Sequence, residues 1–249
     1  FKNKMETTNA STNTAKKKKK FSWKKFFKRL GIVFLCYFVF TILITALYRF
    51  VNPPITILMV QRCVEQTFSK DRDVRLKKDW VSLEEISPYM VRAVVAAEDN
   101  NFRNHNGFDI KAIKYAQKYN ERKGKKALGA STISQQTAKN VFLWIQKSYI
   151  RKGLEAWHTV LMELWWPKSR IMEVYLNVIE FGDGIYGVEA ASQYYFHKHA
   201  SELTRREAAL LTAVLPSPLT RDPSHPNYKT NRRANMIQRK MNIIGPVRL

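Results

Sequence analysis

With 249 residues and a formal net charge of +23, the chain is long enough for one domain of ordinary size plus an appendage. The first 29 residues carry eleven Lys or Arg against one acid, and the remaining 220 residues still have a net charge of +13. A basic domain indicates an anionic partner, such as nucleic acid, anionic lipid or a phosphorylated substrate. Two cysteines, without CxxC or HExxH spacings, predict neither a disulfide framework nor a structural metal site.

The N-terminal region is predicted to hold a membrane anchor. Residues 1–29 are polar and basic, which predicts a disordered cytoplasmic segment. Residues 30–50 include nineteen uncharged residues from Leu30 to Tyr48, close to the length of a helix that spans a hydrocarbon core of ~30 Å. The positive charges before this helix predict that the N-terminus stays inside and that the rest of the chain faces outward. A soluble core helix and a cleaved signal peptide are the alternatives.

Residues 51–80 are predicted to form a linker and membrane-proximal element. Pro53 and Pro54 are expected to end the membrane helix. The apolar, amphipathic stretch that follows is suited either to lie on the membrane or to dock on the main domain.

Residues 81–249 are predicted to form the main domain, built from helices. A Ser or Thr followed three residues later by Glu or Gln can satisfy the first free N–H groups of a helix from both sides. Three pairs fit this pattern: Ser82 with Glu85, Thr132 with Gln135, and Thr204 with Glu207. Asp109 is expected to cap a further helix by itself. Another helix is expected from Arg170 to Phe181, stopping at Gly182. No alternating strand pattern is present, so the predicted fold class is all-α.

Two adjacent carboxylates end the helix that is predicted to follow Ser87 and Pro88. Glu98 and Asp99 come directly after the apolar run VRAVVAA. The negative end of the helix dipole disfavours a carboxylate in this position, which suits a general base. A solvated acidic turn after a core helix explains the same pattern, and these residues alone do not decide between the two.

Four stretches of the main domain resemble, in order, the signatures of the peptidoglycan glycosyltransferases, family 51. They are residues 98–109 (EDNNFRNHNGFD), 129–143 (GASTISQQTAKNVFL), 151–156 (RKGLEA) and 170–192 (RIMEVYLNVIEFGDGIYGVEAAS). Within the family the chain is most similar to the monofunctional, membrane-anchored transglycosylases. The resemblance implies a lysozyme-like globular lobe with a smaller jaw near the membrane. It also implies a single-pass protein of the bacterial inner membrane with a periplasmic catalytic domain.

The resemblance further implies an enzyme that polymerises lipid II through β-1,4 bonds and releases undecaprenyl diphosphate. Its expected partners are lipid II, the nascent glycan strand and the membrane, with cell-wall synthesis or division proteins as further candidates and no nucleic acid. The single candidate cofactor is a divalent cation, Mg²⁺ or Mn²⁺, at the diphosphate, and the sequence does not decide whether it is obligatory. The alternative is a lytic transglycosylase or lysozyme-like enzyme, which cleaves the polymer. A membrane-anchored nucleic-acid binder explains the charge but not the four signatures.

The same resemblance suggests roles for individual residues. Glu98 is the expected general base, and Glu155 the second essential carboxylate, which orients cations or holds the diphosphate. Lys139, Lys147 and Arg151 are candidates to bind the pyrophosphate. The full substrate-binding set is Asp99, Phe102, His105, Gly107, Ser131, Thr132, Gln135, Gln136, Lys139, Asn140, Lys147, Arg151 and Lys152.

Plainer explanations remain for several members of this set. Ser131 and Thr132 can serve as helix caps only. Phe102, His105 and Gly107 are expected to shape their loop rather than to react. Any basic residue in so basic a domain can be solvated surface. In the fourth stretch, Glu173, Tyr175 and Asn177 are expected to be architectural and to pack beneath the site.

Overall fold

A computed structural model describes residues 22–69, 72–124 and 129–249. Most of the segment predicted to be disordered, residues 1–21, lies outside this range. The chain divides into two compact units, one ending at Phe40 and the other comprising Thr41–Leu249. The helices of the described residues are α1 (Trp23–Leu47), α2 (Ile57–Thr67), α3 (Pro88–Glu98), α4 (Ile110–Lys123), α5 (Ile133–Phe142), α6 (Tyr149–Trp165), α7 (Lys168–Val178), α8 (Val188–Phe196), α9 (Arg205–Val214) and α10 (Tyr228–Ile244).

The all-α prediction is confirmed, with one small sheet added. Strands β1 (Lys77–Lys78), β2 (Glu180–Gly182) and β3 (Ile185–Tyr186) form it, with β3 in the centre, parallel to β1 and antiparallel to β2. The helix expected to reach residue 181 therefore ends at Val178, and that part of the prediction was wrong. A backbone carbonyl of Arg75 lies directly against Gly184, at φ +70°, a close approach that suits only glycine.

The predicted helix starts are confirmed. The side chain of Asp109 accepts from Ala112 N at 2.8 Å. Thr132 and Gln135 form a reciprocal capping box, as do Thr204 and Glu207. Ser87 precedes α3 as expected, but its hydroxyl donates to the Leu203 carbonyl at 2.8 Å instead of capping the helix.

The core places the ends of α3 and α5 side by side. Helix α3 packs on α9 and α10, while α5 packs on α2, α6 and α7. Buried apolar side chains fill the space between these helices, among them Met90, Val94, Ile133 and Ile171. Because α3 ends and α5 begins at the same place, residues far apart in sequence meet at one point on the surface.

One described helix, α1, is long and apolar enough to cross a membrane by length and composition, with a mean hydropathy of 2.6 in its most apolar window. The C-terminal end of this helix belongs to the second unit and is tied to α6 and α7. Trp166 Nε1 donates to the Thr45 carbonyl at 2.8 Å. The guanidinium of Arg170 donates to the carbonyls of Tyr48 and Val51. The chain therefore leaves the helix in a fixed position on the domain.

Candidate active site

Asp99 joins the end of α3 to the start of α5. Its buried carboxylate lies 2.9 Å from His105 Nε2 and accepts from Ile133 N at 3.0 Å. The other ring nitrogen of His105, Nδ1, accepts from Gly107 N at 3.1 Å, so Nε2 carries the proton and donates to Asp99. The Asp99 carboxylate and the His105 ring thus form their hydrogen bonds with each other and with the backbone of Ile133 and Gly107. This arrangement suits a scaffold rather than a base that must accept a proton.

The loop of residues 102–107 is built around this network. Phe102 is fully buried, and the Lys168 ammonium lies 4.7 Å from its ring centre. Gly107 has φ +87°, and a Cβ there would lie 2.6 Å from Thr159 Cγ2. The Gly107 carbonyl accepts from the Thr132 hydroxyl at 2.6 Å. Phe102, His105 and Gly107 thus shape the loop in this structure, and the polar groups of Thr132 are used by the cap and by Gly107.

Glu98 lies at a cleft, and its side chain is more exposed than that of its neighbour Asp99. Its carboxylate accepts from Gln136 Nε2 at 3.1 Å through one oxygen and pairs with Arg233 at 3.0 Å through the other. The Glu98 side chain is 16% exposed, so a substrate hydroxyl can reach it. Behind it, the buried Tyr175 hydroxyl donates to Gln136 Oε1 at 3.2 Å. The guanidinium and the amide both stabilise the ionised carboxylate that a base requires.

The cleft has a volume of about 660 Å³. Its walls come from the end of α3, the start of α4, the segment before α5, and α10. Besides Glu98 and Asp99, they include Asp109, Lys111, Tyr115, Ser131, Thr132 and Lys240. A cavity of this size and mixed polarity can accommodate a sugar with hydrogen-bonding groups.

A second cluster, of two cations around one acid, lies on α6. Glu155 is buried and accepts from Arg151 NH1 at 2.9 Å through one oxygen, and it pairs with Lys152 through the other. Arg151 is also buried, and its Nε has no partner among the residues that the structure describes. Glu155 therefore fixes the two cations in place.

Lys139 of α5 completes this cluster. Its ammonium makes no hydrogen bond or ion pair within the described part of the chain. Burial lowers the pKa of Lys139, an effect that the Glu155 carboxylate opposes and that the positive charges of Arg151 and Lys147 reinforce. Lys139, Lys147 and Arg151 are thus within electrostatic reach of one another, with Lys147 exposed on the loop before α6.

Ser131 connects the cluster to the cleft. Its hydroxyl lies 3.5 Å from the Lys152 ammonium, and its carbonyl lies 3.5 Å from Gln136 Nε2, which also binds Glu98. The remaining predicted residues of α5, Gln135 and Asn140, are buried, and the Gln135 side chain accepts from Thr132 N at 3.1 Å. Ser131 therefore lies between Gln136, which binds the predicted carboxylate Glu98, and Lys152 of the second cluster.

The donor groups here do not fit a metal held by the protein. Among the residues described, no group of three or more His, Cys, Asp or Glu side chains is placed to hold an ion. Glu155 uses its oxygens on Arg151 and Lys152, and Asp99 uses its own on His105 and Ile133. A divalent cation at the diphosphate would rely on oxygens of the substrate.

Sequence reasoning missed Arg233 and Lys240 as members of the site. Both lie on α10, and Arg233 is 135 residues from the carboxylate that it pairs with. Their spacing of seven places them on one helix face, which is the only local signal. That signal is weak in a chain with 43 Lys and Arg residues.

Comparisons with known proteins identify the family of the chain. The family model described as Transglycosylase matches residues 64–242. A protein of Mannheimia succiniciproducens named biosynthetic peptidoglycan transglycosylase is 52% identical over 220 residues, 88% of this chain and 90% of its own length. Proteins of the same name from Shewanella oneidensis and Bdellovibrio bacteriovorus are 48% and 50% identical, covering 91% and 87% of this chain and 95% and 86% of their own lengths. The match spans most of the chain, which therefore belongs to the transglycosylase family.

Proposed function

We propose that this peptidoglycan glycosyltransferase polymerises lipid II into glycan strands, with Glu98 as the general base and undecaprenyl diphosphate as the leaving group. The relatives' name, biosynthetic peptidoglycan transglycosylase, favours strand synthesis over strand cleavage. The observation that carries the proposal is the position of Glu98: its carboxylate is held at both oxygens and open to a cleft, with cations beyond Ser131.

The reaction joins the 4-hydroxyl oxygen of one sugar to C1 of another, while the bond from C1 to the diphosphate breaks. Glu98 takes the proton of the attacking hydroxyl. Gln136 and Arg233 fix the direction of its carboxylate, so the carboxylate does not have to reorient when the substrate hydroxyl binds.

The departing diphosphate carries the negative charge that develops during bond breaking. Lys139 offers an ammonium with no protein partner in the described structure, and Arg151 adds a second positive charge within electrostatic reach of it. Glu155 holds Arg151 and Lys152 in place, which makes it a positioning group for the cations. Cations that are fixed before the reaction stabilise a leaving group most effectively, because they need not reorganise.

A lipid-linked substrate requires an enzyme at the membrane, which agrees with α1. In this proposal α1 anchors the chain in the bacterial inner membrane, the N-terminus is cytoplasmic and the catalytic domain is periplasmic. The diphosphate and anionic lipid headgroups account for the basic domain, so nucleic acid is not among the proposed partners. Cell-wall synthesis and division proteins stay candidates.

Polymerisation of purified lipid II by the full-length protein in detergent tests the proposal. Glu98→Gln keeps the size of the side chain but cannot take the proton, so its product formation should fall below a few per cent of wild type. Glu84→Gln, at an exposed acid, is the matched control and should stay fully active.

Two outcomes would contradict the proposed function. The first is substantial polymerisation by Glu98→Gln. The second is release of soluble fragments from purified cell walls without any polymerisation of lipid II, which would establish the lytic alternative.

A further inference from the structure

Tyr175 is a fully buried residue of α7 for which the proposed mechanism has no role. It does not line the cleft, and its hydroxyl ends 3.2 Å from Gln136 Oε1. Gln136 in turn contacts Glu98. A chain of two hydrogen bonds therefore runs from the core to the proposed base.

The surroundings of Gln136 determine which way its amide points. Its Nε2 donates to Glu98 at 3.1 Å and lies 3.5 Å from the Ser131 carbonyl oxygen. Both neighbours are acceptors only, so the NH₂ group must face them. A flipped amide would set its oxygen against a carboxylate and a carbonyl, which is repulsive. The amide oxygen must therefore face Tyr175.

Tyr175 must be the donor in this contact, because an amide oxygen only accepts. Burial, together with the negative charges of Glu98 and Asp99, raises the pKa of the Tyr175 phenol well above its ordinary value of 10. The phenol keeps its proton at physiological pH, and the donor is always present.

We propose that Tyr175 is a positioning residue for the transfer reaction: its hydroxyl holds the Gln136 amide in the one orientation that donates to Glu98. This inference rests on the proposed role of Glu98. Without the hydroxyl, the partly buried Gln136 Oε1 loses its donor among the described residues, which favours rotation of the side chain away from Glu98. The carboxylate then keeps Arg233 as its remaining partner among the described residues.

Tyr175→Phe tests this with the loss of one oxygen atom. The loss of one net hydrogen bond predicts a fall in kcat of about three- to tenfold for lipid II polymerisation. KM should change less than twofold, because Tyr175 does not line the cleft. Tyr186→Phe is the matched control: it is also fully buried, and its hydroxyl contacts Glu180 at 3.4 Å rather than Gln136. Its kcat should match wild type.

A double-mutant cycle separates positioning from a general loss of structure. In a Gln136→Met background, Tyr175→Phe should change kcat less than twofold, because the group that it orients is gone. An equal effect of Tyr175→Phe in both backgrounds would overturn the proposal, as would a Tyr175→Phe enzyme with the kcat of Tyr186→Phe.

Unfolding midpoints of all variants show whether each one is folded. If Tyr175→Phe is not recovered folded, Gln136→Met tests the contact from its other end, and wild-type kcat in that variant overturns the proposal. Glu98→Gln is measured in parallel. Activity in Glu98→Gln refutes the proposed base itself, whereas an inactive Glu98→Gln beside a fully active Tyr175→Phe refutes only the role of Tyr175.

Discussion

Glu98 and Asp99 are neighbours in the chain with opposite surroundings. Asp99 is buried and accepts hydrogen bonds from His105 and from the backbone of Ile133. Glu98 has one amide and one guanidinium partner and lies at the cleft. A proton acceptor needs access to its substrate and a free lone pair, so this difference favours Glu98 as the base. Asp99 instead joins the end of α3 to the start of α5 through its hydrogen bond from Ile133 N.

Lys139 gives a prediction in which activity and stability change in opposite directions. Burial lowers its pKa below the ordinary 10.5, so the folded state disfavours the charged form. The cost to stability is present below the folded pKa and disappears as the pH rises through 10.5. Lys139→Met should therefore raise the unfolding temperature at pH 7.5, and the gain should shrink as the pH approaches 10.5. Its polymerisation rate should fall roughly a hundredfold.

Thermal unfolding from pH 7 to 10, together with a lipid II assay, checks both parts. Lys147→Met is the matched control for stability, because Lys147 is exposed and its charge costs little. An active Lys139→Met would place the diphosphate elsewhere. An unfolding temperature lower than wild type at pH 7.5 would mean that the Lys139 ammonium stabilises the folded state.

The sequence predicted part of the site at this scale and not the rest. The pair Glu98 and Asp99 stood out because it follows an apolar run at a predicted helix end, and the resemblance to the family's first signature assigned the role of base to Glu98. Arg233 did not, because its partner is 135 residues away and basic side chains are abundant. The use of Thr132 and Gln135 as a capping box could be predicted, because a capping box is formed by residues three apart.

At the scale of elements, the same contrast between local and distant contacts holds. The starts of α4, α5 and α9 were predicted because a cap depends on residues within one turn. The end of α7 was not, because residues 180–182 pair with β3, and β3 pairs in turn with residues 77–78. Short strands of this kind depend on partners that a helical pattern does not reveal.

Gly107 lies in the loop before α4, in a backbone conformation that favours glycine. The effect on stability of a substitution there can be compared with that of the same substitution at Gly153. At φ +87° and with a Cβ position 2.6 Å from Thr159 Cγ2, Gly107→Ala should lower stability by roughly 2 kcal/mol or more. Gly153 lies inside α6 with open space around it, so Gly153→Ala should raise stability by up to about 1 kcal/mol. Urea unfolding of both variants measures the two changes. Equal shifts, or a Gly107→Ala protein as stable as wild type, would mean that the loop can rearrange.

At the scale of the whole molecule, the chain combines a helix suited to a membrane with a domain suited to an anionic, lipid-linked substrate. Bonds from α6 and α7 to Thr45, Tyr48 and Val51 fix the end of α1 on the domain. The cleft and the cations therefore keep a set distance from the point where the chain leaves α1.

The orientation of the anchor is the last prediction. Eleven Lys or Arg precede residue 30, so the N-terminus should stay in the cytoplasm and Leu249 should lie outside. Alkaline phosphatase, which is active only outside the cytoplasm, should be active when fused after Leu249 of the full chain. Green fluorescent protein becomes fluorescent in the cytoplasm but not when it is exported in the unfolded state. It should therefore fluoresce when it is fused before residue 1 and stay dark when it is fused after Leu249. A mature protein beginning near residue 48 would identify α1 as a cleaved signal peptide, and the reverse reporter pattern would place the catalytic domain in the cytoplasm, away from the growing cell wall.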